Sequence, residues 1–363
     1  MTTIRPFVAA DSEDVARLYE RVVRSGSPDP PRGLGAYFRR TFLEHPWTDP
    51  EIPSLVAEDG AGQVVGFIGS HARRFRFDGD PIRLACSGQL TTAPEARHHA
   101  VGAFLLGRYM RGPQDVTITD GANEPARQLW KRLGGEALHL GCIDWIRILR
   151  PAATARQYRG TRRKEAVWRL AAPAVAAIDA AATRLSRRLR VSARPTLGEE
   201  LTAERLVESL PTLAGSLRLH PDYDLPFATW LFREMAAVRS RGRLVRTLVR
   251  DESGRTLGWY VAYVPPGGVA EAVQIAAADR DTGAVLDHLL FEAASLGAAS
   301  VRGRLEPRLL PALRGRRCLL RYNGNALVYS PRVELAAAVR GARALLTRMD
   351  GEWWMGHHIE PFD

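Results

Sequence analysis

The sequence predicts a mixed α/β fold, of the α+β kind with mixed sheets, occurring twice along one chain with a helical linker between the copies. Three observations predict it. Residues 1–150 alternate strand-like and helix-like segments in the order βα-βββ-αβαβ. The segment RLVRTLVRDESGRTLGWYVAYV (243–264) echoes PSLVAEDGAGQVVGFIGSHA (53–72): an apolar strand, an acidic turn with glycine, and a second apolar strand with a central glycine. Between the copies, residues 151–200 change character and become rich in alanine and arginine. The expected division is therefore 1–150, 151–200 and 201–363.

Each element follows from local chemistry. TIRPFVAADSEDVARLYERVV reads as a short strand and then a helix, with Asp11 or Ser12 as N-cap and Val15, Leu18 and Val22 on one face. Residues 26–35, SGSPDPPRGL, read as a loop. PSLVAEDGAGQVVGFIGSHARRF alternates around a glycine turn, as a β-hairpin does. IRLACSGQLTTAP is a further strand, stopped by Pro94. HHAVGAFLLGRYM is a helix, DVTITDG a strand, NEPARQLWKRLG a helix, and GCIDWIRILR the closing strand of the first copy. The linker segment KEAVWRLAAPAVAAIDAAATRLSRRLR is helical with a kink at Pro173. It carries Arg169 and Asp179 within its apolar run, which argues against a membrane span. A helix packed between domains or one lying on an anionic membrane both fit 156–190. In the second copy, EAVQIAAA is a strand, GAVLDHLLFEAASLG a helix, ASVRGRLEP a strand, and CLLRYNGNALVYS a hairpin turning at Asn323-Gly324.

Composition narrows the function classes. The 363 residues are 45% apolar and 25% charged, with a formal net charge of +11. Only Lys131 and Lys164 are lysines, so the positive charge is carried by arginine. Such a surplus favours an anionic partner: a phosphorylated cofactor, an acidic carrier protein or an anionic membrane. The arginines are scattered rather than gathered in an aromatic-flanked groove, which argues against a nucleic-acid module. Cys86, Cys142 and Cys318 are odd in number and far apart, so neither a disulfide framework nor a zinc site is expected, and no metal. The first residues lack an apolar leader core, which makes the cytoplasm the expected compartment.

The chemistry concentrates in LTTAPEARHHAVGA, residues 90–103. A helix N-terminus presents unsatisfied N–H groups and partial positive charge to an anion. Glycine there allows close backbone approach, and arginine adds a charge-assisted bond. Leu90 to Thr92 end a strand, Pro94 stops it, Arg97 sits at the turn, and Gly102 falls in the first helical turn. A pyrophosphate suits that arrangement.

The stretch resembles motif A of the GNAT (GCN5-related N-acetyltransferase) superfamily, Leu-x-Val-x-Pro-x-x-Arg-x-x-Gly-x-Gly. Leu90, Pro94, Arg97 and Gly102 match, while Thr92 replaces valine and Ala100 the first glycine. NEPARQLWKRLGG resembles a second family motif, Asn-x-x-Ala-x-x-Leu-Tyr-x-x-x-Gly-Phe, through Asn123, Ala126, Leu129 and Gly134. Here Trp130 replaces its tyrosine and Gly135 its phenylalanine. The resemblance covers residues 3–149 and extends to the second copy in topology alone. It implies acyl transfer, acetyl or longer, from acetyl-CoA or another acyl-CoA, or from acyl-phosphopantetheine on an acyl carrier protein, to an amine or hydroxyl.

On the resemblance, the backbone of Leu90, Thr91 and Thr92 would hold the pantetheine arm. Arg97 and the N–H groups of His98, His99, Ala100, Val101, Gly102 and Ala103 would hold the pyrophosphate. Asn123 would lie near the thioester and Trp130 beside it. A small-molecule acceptor is expected in the cleft between the copies. Trp130 cannot replace tyrosine as the acid, because an indole N–H is no acid at neutral pH.

The strand before motif A carries no carboxylate. Asp120 is the nearest candidate base, or else a turn aspartate. The tail RMDGEWWMGHHIEPFD offers His357, Glu360 and Asp363. It is either a closing strand anchored by its tryptophans or, as the resemblance to other tandem GNAT proteins implies, the source of the base. In the second copy, AAADRDTGAVLDHLLFEA keeps Gly283 but has lost the arginine-glycine signature, so a cofactor site is expected in the first copy alone. Two alternatives stay open: a non-catalytic acyl-CoA-binding protein, and a FemAB-like aminoacyltransferase.

Overall fold

The computed structural model describes residues 2–24, 27–159, 172–185, 191, 195–356 and 358–362. Its contacts divide the chain into two units. One comprises Met1–Cys142, Leu217–Ser240 and Gly324–Asp363; the other comprises Ile143–Ser216 and Arg241–Asn323.

The first unit is built on strands β1 (Thr3–Pro6), β2 (Leu55–Glu58), β3 (Val64–Phe77), β4 (Asp80–Thr92), β5 (Val116–Thr119) and β6 (Glu136–Ala137). Helices α1 (Ser12–Val22), α2 (Arg32–Phe42), α3 (Val101–Met110) and α4 (Glu124–Arg132) flank them. Strands β1 to β4 are antiparallel neighbours, and β4 passes through α3 to the parallel strand β5. The helices bury the stripes their periodicity presents. Val15, Leu18, Leu34, Phe38, Leu105, Leu106 and Trp130 share one core with Val56, Phe67 and Ala85 of the sheet. Helix α2 begins inside the stretch read as a loop. Pro31 precedes its first turn, and Leu34, Phe38 and Phe42 recur at helical spacing into the core.

The second unit repeats the order. Strand β7 (Ile143–Ile148) enters its sheet first, and helices α5 (Pro151–Arg159) and Ala172–Leu185 follow. Then come β8 (Thr196–Glu200) and the helix Ala203–Ser209; β9 (Leu219–Pro221) belongs to the first unit and pairs with β3, and β10 (Arg243–Asp251), β11 (Thr256–Val264) and β12 (Val269–Ala277) continue the second. The helix Thr282–Ser295 crosses over to the parallel strand β13 (Ser300–Arg304). Thus β8-β10-β11-β12-helix-β13 follows the path of β1-β2-β3-β4-α3-β5. Asp179, an oddity in an apolar run, accepts the Ala152 and Ala153 amides at 2.8 and 3.0 Å and so caps α5. The kink expected at Pro173 falls at the edge of the described residues, and residues 160–171 and 186–190 of the 156–190 segment lie outside them.

Two strand assignments differ from the sequence reading. Strand β7 does not close the first sheet; it pairs with β13 and with β14 (Leu319–Tyr322) in the second. Nor do residues 318–330 form a hairpin. Strand β14 stays in the second sheet, while β15 (Leu327–Tyr329) lies between β5 and β6 in the first. Local alternation specifies a strand but not its partner, and Asn323 bonds Asp144 on β7 (2.8 Å) rather than closing a turn.

The C-terminal segment is a series of turns rather than a strand. Trp354 is 1% exposed. Phe362 packs against Tyr37 with ring centroids 4.8 Å apart and the planes tilted by 50°, and its carbonyl accepts the Gly33 amide. The Glu360 carboxylate accepts the Arg239 and Ser240 amides at 3.2 and 3.0 Å, satisfying backbone donors beyond the helix Leu225–Ala237. Glu360→Ala leaves those donors unmet and is expected to lower stability by about 1–3 kcal/mol in denaturant unfolding, with CoA affinity unchanged.

Candidate functional site

The site grows from a defect in the β3–β4 ladder. Thr92 and Thr91 pair with Gly66 and Phe67, and Gly88 pairs with Gly69, so Gln89 and Leu90 together oppose Ile68 alone. This is a β-bulge, and Gln89 takes φ +51° to make it. On its other side β4 pairs with β5 through Leu84, Ala85 and Cys86 only. Beyond those three residues the parallel strands part, and the bulge lies on the edge that opens.

A carboxylate fills the opening. Glu352 Oε2 accepts the Gln89 amide at 3.1 Å and Gln89 Nε2 at 2.7 Å, while Oε1 accepts Thr119 Oγ1 at 3.0 Å from the end of β5. The Gly121 amide donates to it as well. Three glycines make the space. A Cβ on Gly88 or Gly121 would approach a Glu352 oxygen to 2.8 Å, and one on Gly351 would reach Asp120 Oδ2 at 2.2 Å. Burial pushes the Glu352 carboxyl up to about 8, and the neighbouring Asp120 charge adds to the shift; the bonds from Thr119, Gln89 and Gly121 oppose it.

Asp120, the sequence candidate for the base, serves the tail. Its Oδ1 accepts the amides of Glu352 (2.8 Å) and Trp353 (3.1 Å), fixing the turn that presents Glu352. Glu360 is engaged with the Arg239 and Ser240 amides, and His357 and Asp363 lie outside the described residues. The tail brings to the bulge Glu352, a residue the sequence reading does not single out. The signal in the sequence was Gly351-Glu352 paired with Asp120-Gly121, which no local spacing rule connects.

Beyond the bulge, Leu90 to Thr92 run into a 3-10 turn, Pro94–His99, and then α3. Ala100, at φ +54°, is the left-handed N-cap of α3, which explains why glycine suits this position. Arg97 and His99 are exposed at the turn; Gly102 sits beside Thr92, whose Oγ1 a Cβ would meet at 3.0 Å. Two of the expected phosphate donors are committed elsewhere: the Ala100 amide to Arg97 O (3.1 Å) and the Ala103 amide to Ala100 O (2.9 Å). Those of Val101 and Gly102 begin the helix and point outward from its positive end. A cleft of about 650 Å³ flanks the same helix, lined by His99, Phe104, Arg108 and Arg111.

Asn123 N-caps α4, accepting the Ala126 amide at 3.1 Å, and is exposed. Trp130 is 2% exposed and packs within the apolar core. In the second unit the corresponding helix start is filled by its own side chains. Asp281 sits at its N-cap bound to Arg255 at 2.8 Å, and Arg316 Nη2 covers Gly283 while donating to its carbonyl. Among the described residues no helix is long and apolar enough to cross a membrane, and no group of three or more histidine, cysteine or acidic side chains could hold a metal ion.

Solved structures share this architecture along nearly the whole chain. A GCN5-related N-acetyltransferase from Anabaena variabilis superposes with a TM-score of 0.59, 11% identity, and coverage of 92% of this chain and 74% of that one. One from Kribbella flavida gives 0.57, 16%, 94% and 74%. A conserved Enterococcus faecalis protein gives 0.58, 9%, 92% and 73%. No protein-family profile matches the chain, and no curated protein matches its sequence. The fold is that of the GCN5-related N-acetyltransferases.

Two outcomes follow from the site. Ala100→Gly relieves the left-handed strain and is expected to stabilise by roughly 0.5–1 kcal/mol net of the unfolded-state entropy it adds, read from urea unfolding. Glu352→Gln tests the burial of charge. The folded-state pKa lies above the unfolded one, so wild type is penalised as pH rises from the unfolded value through about 8. The variant's Tm should exceed wild type's above that pH, and the gap should close toward pH ~4.

Proposed function

We infer that this chain is an acyltransferase that takes its acyl group from a thioester on a phosphopantetheine arm and gives it to an amine. One observation carries the reading: a strand bulged at Gln89-Leu90 parts from its parallel neighbour and leads, through Arg97 and Ala100, into a helix start. An arm laid along Leu90 to Thr92 would place a thioester at the bulge and phosphates at the Val101 and Gly102 amides. The fold shared with GCN5-related N-acetyltransferases supports it.

Attack of the amine on the thioester carbonyl builds negative charge on oxygen, and a bulge amide released from the ladder is a preorganised donor for it. The Leu90 amide, one of the two bulge residues opposite Ile68, would lie at that oxygen. Arg97 would steady the pyrophosphate through charge. Acetyl-CoA or a longer acyl-CoA is the favoured donor over an acyl carrier protein. Arg108 on the same helix and Arg111 just past its end, beside the exposed Phe104, offer a nucleotide two cations and an aromatic face.

Calorimetry with CoA and acyl-CoAs tests this. Wild type is expected to bind, Arg97→Glu to weaken binding at least tenfold, and Gly102→Val to abolish it by crowding Thr92. Folded protein that binds no acyl-CoA and accepts no acyl group from a carrier protein would refute the reading.

A further inference from the structure

We propose that Glu352 is the proton shuttle of this site, taking a proton from the attacking nitrogen and passing it to the departing sulfur. This rests on the acyl-transfer reading above. Position is the first argument. The carboxylate bridges the bulge residue Gln89 and the end of β5 at Thr119, in the mouth where the two strands part, and it is only partly buried. A thioester held by Leu90, the next residue along β4, would have this group beside its carbonyl carbon.

Elimination is the second argument. Asp120 is committed to the Glu352 and Trp353 amides, Glu360 to those of Arg239 and Ser240, and Trp130 lies in the core. No other described carboxylate joins the bulge. The packing is the third. Glycines at 88, 121 and 351 leave room for both carboxylates, and Asp120 holds the turn that carries Glu352.

The step balances. The nitrogen lone pair forms the C–N bond, and the ionised Glu352 accepts the proton the nitrogen releases. The C–S bond breaks, its electron pair goes to sulfur, and protonated Glu352 returns the proton there. The products are an amide and a thiol, with Glu352 ionised again. A carboxyl pushed up to about 8 is matched to this relay, because an ordinary thiol titrates near 8.5 and transfer between the two is nearly thermoneutral. One group then serves as base and acid, which accounts for a site whose aromatic acid position holds the buried Trp130.

The charged and titratable groups facing Glu352 are Asp120 after β5, Tyr19 on α1 and Tyr109 on α3. Asp120 opposes its ionisation, and burial pushes both phenols upward, so neither tyrosine is charged in the working range.

The test is steady-state transfer from acetyl-CoA to a panel of primary amines between about pH 6 and about pH 10, with free-CoA binding measured alongside. Wild-type kcat/KM, expressed per neutral amine, should climb through an apparent pKa near 8 and level off. E352Q should lose about 100-fold or more in kcat, keep its CoA affinity within about twofold, and lack that limb. Thr119→Val, which removes a bond favouring the ionised form, should move the limb to higher pH. Full turnover and an intact limb in E352Q would overturn the proposal. So would tighter CoA binding with faster turnover in E352Q, which would mark Glu352 as an obstruction. If wild type binds CoA yet acylates no amine, the acyl-transfer reading falls and the shuttle with it; transfer that survives in E352Q removes the shuttle alone.

Discussion

A carboxylate held between two strands that have stopped pairing is the interaction on which the first unit's site depends. Strand separation exposes backbone donors at Gln89 and Gly121 that need acceptors. Glu352 supplies them, and Thr119 and the Gln89 amide group add two more bonds. Burial, and then the charge of nearby Asp120, raise the affinity of the Glu352 carboxyl for a proton. Everything around it is arranged to permit that contact. Gly88, Gly121 and Gly351 have no side chain where one would collide, and the tail beyond 352 is pinned by Trp354, Glu360 and Phe362.

The two units show how one topology diverges. In the first, a left-handed Ala100 and small Gly102 leave the helix start open to an anion. In the second, Asp281 and Arg316 occupy the equivalent helix start, and the aspartate is neutralised by Arg255. An anion approaching there would meet a carboxylate first.

Much of this was legible in the sequence. The helices were, because Val15 and Leu18, or Leu105 and Leu106, recur at a period that only a helix buries on one side. The turn into α3 was, because Pro94, Arg97 and Gly102 have local conformational reasons to sit where they do. Strand partnership was not: β7 and β15 alternate like any strand, and only tertiary pairing assigns them to the second and first sheets. The role of Glu352 was hidden for the same reason. It meets Gln89 across 263 positions and Thr119 across 233, and nothing at either end marks the other. Of the two roles the sequence allows Asp120, candidate base or turn aspartate, its bonds to the Glu352 and Trp353 amides match the second, and an aspartate near a strand end gives no sign of which amides it will accept.

The most direct measurement is carbon-13 NMR of the Glu352 carboxyl through a pH titration, assigned against the E352Q spectrum, with and without bound CoA. The account predicts a midpoint near 8 in the free protein and a displaced midpoint when CoA occupies the adjoining strand edge. A midpoint in the ordinary carboxylate range near 4.3, unmoved by CoA, would contradict it.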